Sequence, residues 1–509
     1  MKKNLQTVLS YVDGTLLQGR THREQWEEIP VSELVYDSRR ASPHTVFFCL
    51  VGKTSDGHAF ASSAYHGGCR FFVVEREVDL PDDAVILRVN DTRKALADCA
   101  AAFYDHPEKS IRLIGLTGTK GKTTTALLIK QLLDAASIPT GYVGTNGVIY
   151  GDHRYETANS TPESVEIYRH LRDMLDAGMK ACVLEVSSQA LWMGRTRGLV
   201  FDTVLFTNLS RDHIGGVEHP DFDHYRACKK LLFTDYPAEA AIFHTGDPAW
   251  AFMAEGVGTP ALTFSTDEGT AALWSARRIV PSRLNGRLGV AFDAFRDGRA
   301  VEGEWFLPLP GEYNVQNALA ALAVVCERFG ISPLQAKEIL ATATVDGRFE
   351  TVTHPALPDV TFVIDYAHNG VSLTSMLESL KQYKPTRMIC LFGSVGGRTK
   401  ERRRDLAEAA ADRCDLCVLT ADNPGTEPVM DILREIDGHF PENSCPRILE
   451  PDRAEALRML VRDAQAGDII LLAGKGHETY QLIGPHKVPF SERSILEGAL
   501  EELAAAVIG

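Results

Sequence analysis

The residues best able to do chemistry lie at Thr117-Gly-Thr-Lys-Gly-Lys-Thr123. Gly118 and Gly121 lack a Cβ, so the backbone there can fold tightly with its N–H groups turned inward, a cradle for anions. Lys122 would neutralise the β- and γ-phosphates of a nucleotide, and the Thr123 hydroxyl would hold Mg²⁺. The strict form of this motif has a glycine five residues before Gly121; position 116 is Leu, so the loop is a shortened variant. A ligand-free Gly/Thr-rich turn is the alternative, but a strand before, Lys-Thr within and a helix after fall in register for phosphate.

Other candidates are weaker one by one. Glu185 and His213 each follow an apolar run, and a carboxylate and an imidazole near a phosphate loop suit a hard cation or the phosphates; either could instead be a helix cap. Asp422, Asn423, Gly474 and Glu478 could together hold a cationic amine. Arg398, Arg402, Arg403 and Arg404 could fork a carboxylate or phosphate, or form the solvated face of a helix. Lys229 reads as a solvated helix lysine, and Arg195 and Arg197 as surface charges. Asp37-Ser-Arg39 reads equally as a capped turn before a strand. Cys414-Asp-Leu-Cys417 is one CxxC without a second pair, and it runs into Val418-Leu419, which favours a buried strand over zinc.

The elements that must position these residues are legible as alternating apolar runs. Residues 1–107 hold strand-like Thr45–Gly52, Cys69–Val74 and Ala84–Val89, a compact α/β unit. Residues 108–345 place strands at 111–116, 141–143, 181–186, 203–207 and 240–244, with a helix from Glu163 to Met179. Alternating strands and helices imply a parallel, doubly wound sheet with its ligands at the carboxyl ends of the strands. Short alternating stretches over 258–307 predict a small antiparallel extension. Residues 346–509 repeat the pattern as a Rossmann-like sheet, with strands at 360–365, 387–392, 416–420 and 468–473, each ending in a polar or glycine-rich cluster. The fold class is therefore α/β in three domains.

The chain has 509 residues, room for roughly three domains of ~150. Its formal net charge of −15 argues against a general nucleic-acid binder. The polar start, Met1-Lys-Lys-Asn-Leu-Gln-Thr7, is not a secretory leader, and no apolar run approaches the ~18 residues of a membrane span. Scattered cysteines in apolar runs suit reduced core thiols, hence a cytoplasmic protein.

Taken together, these motifs resemble the Mur ligases, ATP-dependent enzymes that build the peptide stem of cell-wall precursors. The resemblance covers nearly the whole chain. It rests on Thr117–Thr123, Ser160-Thr-Pro-Glu163, Glu185-Val-Ser-Ser188, Thr207-Asn-Leu-Ser-Arg-Asp-His213, Gly311-Glu-Tyr-Asn-Val-Gln-Asn317 and Gly347-Arg-Phe-Glu350. Asp365-Tyr-Ala-His368, Asp422-Asn-Pro424 and Gly474-Lys-Gly-His-Glu478 point within the family to addition of the third residue to UDP-N-acetylmuramoyl-L-alanyl-D-glutamate.

The resemblance implies a role for each domain and position. Residues 1–107 would bind the UDP precursor, 108–345 would form the central ATP-binding ligase domain, and 346–509 would bind the amino acid. Gly118, Thr119, Lys120, Gly121, Lys122, Thr123 and Thr124 would bind ATP, with Asn317, Arg348 and Asp365 on adenine, phosphate and ribose. Thr123, Glu185 and His213 would hold Mg²⁺, and Lys229, carbamylated by CO₂, would help hold a second metal. Lys122, Lys229, His213 and Arg348 would be the catalytic set. Ser38 would contact the uridine part, and Ser160, Thr161, Ser187 and Arg195 the muramoyl dipeptide. Arg403, Asp422, Asn423, Gly474 and Glu478 would receive the incoming diamino acid. The implied reaction activates the D-glutamate γ-carboxylate as an acyl phosphate, which the amine then attacks, in a monomer without nucleic-acid or membrane partners.

Departures narrow the reading. Members that select diaminopimelate usually carry Asp-Asn-Pro-Arg, and here the fourth residue is Gly425. A charge-assisted contact worth about 2 kcal/mol is then missing, which favours lysine or a similar diamino acid while leaving diaminopimelate possible. His244, Gly246-Asp247 and Gln189 also replace residues common in the family. A related amide ligase such as folylpolyglutamate synthase, or a silent nucleotide-binding regulator, remains the alternative; Asp37-Ser-Arg39 and the Gly474–Glu478 cluster weigh against the first.

Overall fold

The computed structural model describes residues 3–19, 26–52, 55–211, 214–215, 218–345, 349–397 and 401–508. The chain divides into two compact units. The first is Met1–Ser275 with Arg296–Gly298 and Leu319–Ala336; the second is Ala276–Phe295, Arg299–Ala318 and Lys337–Gly509.

The first unit holds a two-stranded pair, Lys3–Asn4 with Pro30–Val31, and two larger sheets. Strands β1 (Thr15–Gln18), β2 (Glu33–Val35), β3 (Thr45–Phe48), β4 (Phe71–Val74) and β5 (Val85–Arg88) form a sheet of order β1-β5-β4-β3-β2. Helix α1 (Thr92–Phe103) comes next in the chain, with the Asp91 carboxylate capping the N–H groups of Arg93 and Lys94. The larger sheet is built from β6 (Arg112–Thr117), β7 (Thr140–Gly144), β8 (Gly147–Tyr150), β9 (His153–Tyr155), β10 (Ala181–Glu185), β11 (Phe201–Phe206), β12 (Ala238–His244) and β13 (Ala261–Ser265). Their order is β9-β8-β7-β10-β6-β11-β12-β13, with β6 at the centre.

Helices α2 (Lys122–Ala135), α3 (Ser164–Asp176), α4 (Ser188–Trp192) and α5 (Phe222–Thr234) alternate with these strands. The parallel pairings of β10 with β6 and of β6 with β11 agree with the doubly wound sheet expected. One hydrophobic core joins residues of α1, β6, β10 and α3, including Leu96, Phe103, Leu113, Leu184 and Tyr168.

Two local expectations are corrected. Residues 261–265 form a parallel strand beside β12, because the short helix Trp250–Ala254 carries the chain over as a βαβ crossover. Antiparallel pairing begins only later in the chain, as between Arg287–Arg296 and Trp305–Leu307. The hairpin β8–β9 was not legible, although Gly151, at φ +51° in its turn, takes the left-handed conformation it needs.

The second unit carries β14 (Glu350–His354), β15 (Leu357–Asp365), β16 (Arg387–Phe392), β17 (Leu416–Leu419), β18 (Arg447–Leu449) and β19 (Asp468–Ala473). Their order is β14-β15-β19-β16-β17-β18, parallel except for β14. The register pairs Asp365 with Ala473 and Phe392 with Leu419, which brings the expected polar clusters to one edge. Among the described residues no helix is long and apolar enough to cross a membrane.

Candidate active site

The phosphate loop is built by three strand ends. Glu185 of β10 pairs with Leu116, and Thr117 at the end of β6 pairs with Phe206 of β11, so the loops leaving these strands share the carboxyl edge. Gly121 sits at φ +82° and opens α2 at Lys122. A Cβ on Gly118 would lie 2.0 Å from Thr207 Oγ1, so only glycine lets the loop pass. Thr207 and Asn208 latch it. Thr207 Oγ1 donates to the Lys120 carbonyl at 2.8 Å, and the Lys120 N–H donates to Asn208 Oδ1 at 2.9 Å. Lys122 Nζ donates to the Gly118 carbonyl at 2.8 Å, and Lys229 Nζ, from α5, donates to the same oxygen at 2.8 Å.

That placement corrects the reading of Lys229 as a solvated lysine: it is 2% exposed, over the Tyr225 ring at 4.5 Å. Helical spacing alone does not reveal that the face of α5 bearing Lys229 packs under the phosphate loop. Arg195 is corrected likewise. It is buried, because its Nε donates to Glu163 Oε1 at 3.0 Å and its Nη1 to the Thr161 carbonyl at 3.2 Å. Glu163 also pairs with Arg93 of α1, so both arginines converge on one carboxylate. Arg197 is exposed, as expected, and pairs with Asp98.

Glu185 is buried at the end of β10. Its Oε1 accepts from Tyr142 Oη at 2.5 Å and the Thr145 N–H at 3.1 Å, and its Oε2 accepts from Thr145 Oγ1 at 3.1 Å. The Thr123 hydroxyl also bonds Tyr142, so Thr123, Tyr142 and Glu185 form one chain. Burial and the neighbouring Glu185 charge push the Tyr142 phenol far above its ordinary range, which keeps it a neutral donor. A hydroxyl and a carboxylate, both hard oxygen donors, suit Mg²⁺ at this edge. A Cβ on Gly144 would lie 2.4 Å from Glu185 Oε1, so glycine there makes room for the carboxylate.

Beside this edge lies a cavity of about 330 Å³, lined by Lys122, Lys229, Arg195, Ser160, Ser187 and His219 among others. Ser187 is placed by Thr161, whose Oγ1 accepts from the Ser187 N–H at 3.0 Å and donates to the Glu185 carbonyl at 2.9 Å. Gln189 lines the same cavity. His244 lies below the loop, with Nδ1 on the Thr207 carbonyl and its ring stacked on Phe264. Ser38 lies apart from this cavity, on the short helix Ser38–Arg40 that Asp37 caps, so the capped-turn reading holds locally. His213 and Arg348 lie outside the described residues, as do Arg398 and residues 346–347.

The second unit gathers the other group. Asn423 Nδ2 donates to Glu478 Oε2 at 2.9 Å, and Lys475 Nζ donates to Asn423 Oδ1 at 3.0 Å and Glu478 Oε2 at 2.7 Å. Asp422 lies 3.8 Å from Lys475, and burial raises its carboxyl above the usual range. Its Oδ1 has no hydrogen-bond partner among the described residues. Gly474, at φ +109°, leaves the Asp422 carboxylate uncovered by a side chain.

Arg403 is 2% exposed, and its guanidinium is taken up by Glu427 at 2.7 Å and Glu435 at 2.5 Å. Asp365 accepts the N–H groups of Phe349 and Ala367, both at 2.8 Å, and Asn317 donates to Asn314 at 3.1 Å. Sequence reasoning gave no role to Tyr142, Glu163, Asn208 or Lys475. Lys475 lay inside a motif already singled out, and Tyr142 carried no signal, being an aromatic in an apolar strand.

Comparison with known proteins finds relatives over nearly the whole chain. The family models for the Mur ligase catalytic domain, the Mur ligase middle domain and the Mur ligase glutamate ligase domain match residues 30–104, 116–325 and 347–476. A relative from Geobacillus thermodenitrificans, named UDP-N-acetylmuramoyl-L-alanyl-D-glutamate--2,6-diaminopimelate ligase, is 35% identical over 98% of this chain and 99% of its own. A relative of the same name from Chlorobaculum tepidum is 36% identical over 93% of each chain. A solved structure, also of a ligase so named, superposes with a TM-score of 0.70 at 25% identity, over 99% of this chain and 100% of the other. A folylpolyglutamate synthase from Mycobacterium tuberculosis shares the fold over 75% of this chain and 92% of its own, at 16% identity and a TM-score of 0.56.

Proposed function

Because the chain belongs to the Mur ligase family, we propose that it adds a diamino acid to UDP-N-acetylmuramoyl-L-alanyl-D-glutamate with hydrolysis of ATP to ADP. The observation that best supports this reading is the pair Lys122 and Lys229 on one loop carbonyl, beside Glu185 and the cavity that Arg195 lines.

The loop N–H groups and Lys122 hold the ATP phosphates and offset the charge that develops as the γ-phosphoryl moves. Arg195, fixed by Glu163, receives the carboxylate end of the dipeptide together with Ser160, Thr161 and Ser187. The D-glutamate γ-carboxylate attacks the γ-phosphorus, ADP leaves, and an acyl phosphate forms. Asp422, Asn423, Gly474 and Glu478 hold the diamino acid, whose free amine attacks the acyl carbonyl. The tetrahedral intermediate collapses to an amide and releases phosphate. Thr123 and Glu185 would hold Mg²⁺, which supplies charge neutralisation at the phosphates. Lys229 as its carbamate would supply an anionic oxygen donor for a second metal. Ser38 serves the uridine end, and Asn317 and Asp365 the nucleoside of ATP. Arg403 acts by bracing Glu427 and Glu435.

Diaminopimelate is the favoured diamino acid, since the relatives matched over nearly their whole length are named for it. L-lysine is the second reading, carried by Gly425 in Asp-Asn-Pro-Gly. A phosphate-release assay with the UDP-muramoyl dipeptide and lysine, ornithine or diaminopimelate decides. Turnover with one of them identifies the amine; ATP binding without amine-dependent phosphate release would leave a nucleotide-binding regulator. Turnover with folate and glutamate instead would favour a folylpolyglutamate synthase.

A further inference from the structure

Next to Lys229 is a cluster that the ligase reaction does not use. His224 and Cys228 stand one turn apart on α5 and so share a face. The carboxylate of Asp221 caps the helix through the His224 N–H at 2.7 Å, which fixes where that face begins. His219 comes from the loop just before the helix. Its Nδ1 lies 2.9 Å from His224 Nδ1, and the Cys228 sulfur lies 3.6 Å from the same nitrogen. One donor atom from each of the three can be chosen so that all lie within 4.8 Å of one another. His219 and Cys228 are buried, and the Trp192 ring closes one side, 4.8 Å from the His224 ring and 5.9 Å from that of His219.

We propose that His219, His224 and Cys228 form a binding site for a borderline-soft divalent cation such as Zn²⁺, separate from the oxygen-donor Mg²⁺ site. Two imidazoles and a thiolate match the ligand preference of zinc and exclude Mg²⁺, which takes oxygen donors. The spacing His-x4-His-x3-Cys supplies three protein ligands and leaves a fourth position for water or another donor. Ser188 Oγ, 2.9 Å from His219 Nε2, orients that ring from outside, as partners of metal-bound histidines do. His219 also lines the cavity that holds Lys122, Lys229 and Arg195, so the ion would sit at the edge of the substrate pocket. The site is formed by α5, the loop before it and the packed side chains of α4, and stands apart from the ligase reading.

The test uses the full chain, stripped with chelator and kept in excess Mg²⁺, then titrated with Co²⁺ as a spectroscopic stand-in for Zn²⁺. One equivalent should raise a thiolate-to-cobalt charge-transfer band, displaced by Zn²⁺. The band should vanish in Cys228→Ser, and His224→Gln should weaken binding at least about tenfold. Cys445→Ser and Cys414→Ser should each leave it intact, which excludes the thiol cluster of Cys390, Cys414, Cys417 and Cys445. Because ligand binding stabilises the folded chain, Zn²⁺ should also raise the unfolding midpoint of the wild type but not of Cys228→Ala. A wild type without the band, or a band that survives undiminished in Cys228→Ser, overturns the site.

Discussion

The two polar clusters set their lysines against different acceptors. In the first unit, Lys122 and Lys229 both donate to the Gly118 carbonyl, a neutral acceptor. In the second, Lys475 donates to Glu478 and lies 3.8 Å from Asp422, so one cation faces two carboxylates. Arg403 repeats that arrangement with Glu427 and Glu435. A lysine on a carbonyl suits a phosphate; a lysine outnumbered by carboxylates leaves negative charge for an amine. What decides the ligand is the partner of each lysine, and the lysine by itself is silent on the matter.

The harshest way to break this contrast is Lys122→Ala. Loss of the charge facing the phosphates should lower amine-dependent phosphate release by roughly 10³-fold, while fluorescence-monitored binding of the diamino acid stays unchanged. Full-speed turnover would end the phosphate reading of the loop. Lys229→Ala should cost on the order of 10²-fold, and small carboxylates added to the assay should restore part of it if the carbamate supplies a missing oxygen anion. An undiminished variant excludes that role.

In the second cluster, Glu478→Gln keeps the shape and removes a charge, so the KM for the diamino acid should rise about tenfold, or about 1.4 kcal/mol, with the KM for ATP unmoved. Asp422 adds a pH signature there. Burial raises its carboxyl above the usual range, so it gains a proton before an exposed carboxylate does as pH falls. The KM for the amine should therefore rise toward acid, and Asp422→Asn should flatten that limb in steady-state profiles. The gentlest change is Gly425→Arg. Gly425 sits at φ +59° with open space around it, so a side chain fits but strains the backbone by about 1 kcal/mol. The new guanidinium should lower the KM for diaminopimelate about fivefold and leave that for lysine alone. Equal effects on both would mean that position 425 does not read the second carboxylate.

How far the site could be read in advance varies by residue. The phosphate loop was legible because its chemistry is local: Thr117 to Thr123 contain the glycines, the lysine and the helix start that make an anion cradle. Glu185 was legible as a polar residue ending an apolar strand, but its grip by Tyr142 and Thr145 was not, since that depends on β7 lying beside β10. Lys229 and Arg195 looked solvated because a helix or loop read alone does not show what packs on it. Arg403 looked available for the same reason, yet its partners lie 24 and 32 residues away in sequence.

The sequence by itself determined the α/β class, the alternation of strands and helices, and a glycine-rich loop of the kind that cradles phosphate, because periodicity and glycine placement act within a few residues of one another. Only the tertiary structure decided which charges are spent and which remain. Burial and pairing depend on strand order and on which helix face meets the sheet. That is why the carbonyl under Lys229, the carboxylate holding Arg195 and the pairing of His219 with His224 and Cys228 appear only in the folded chain.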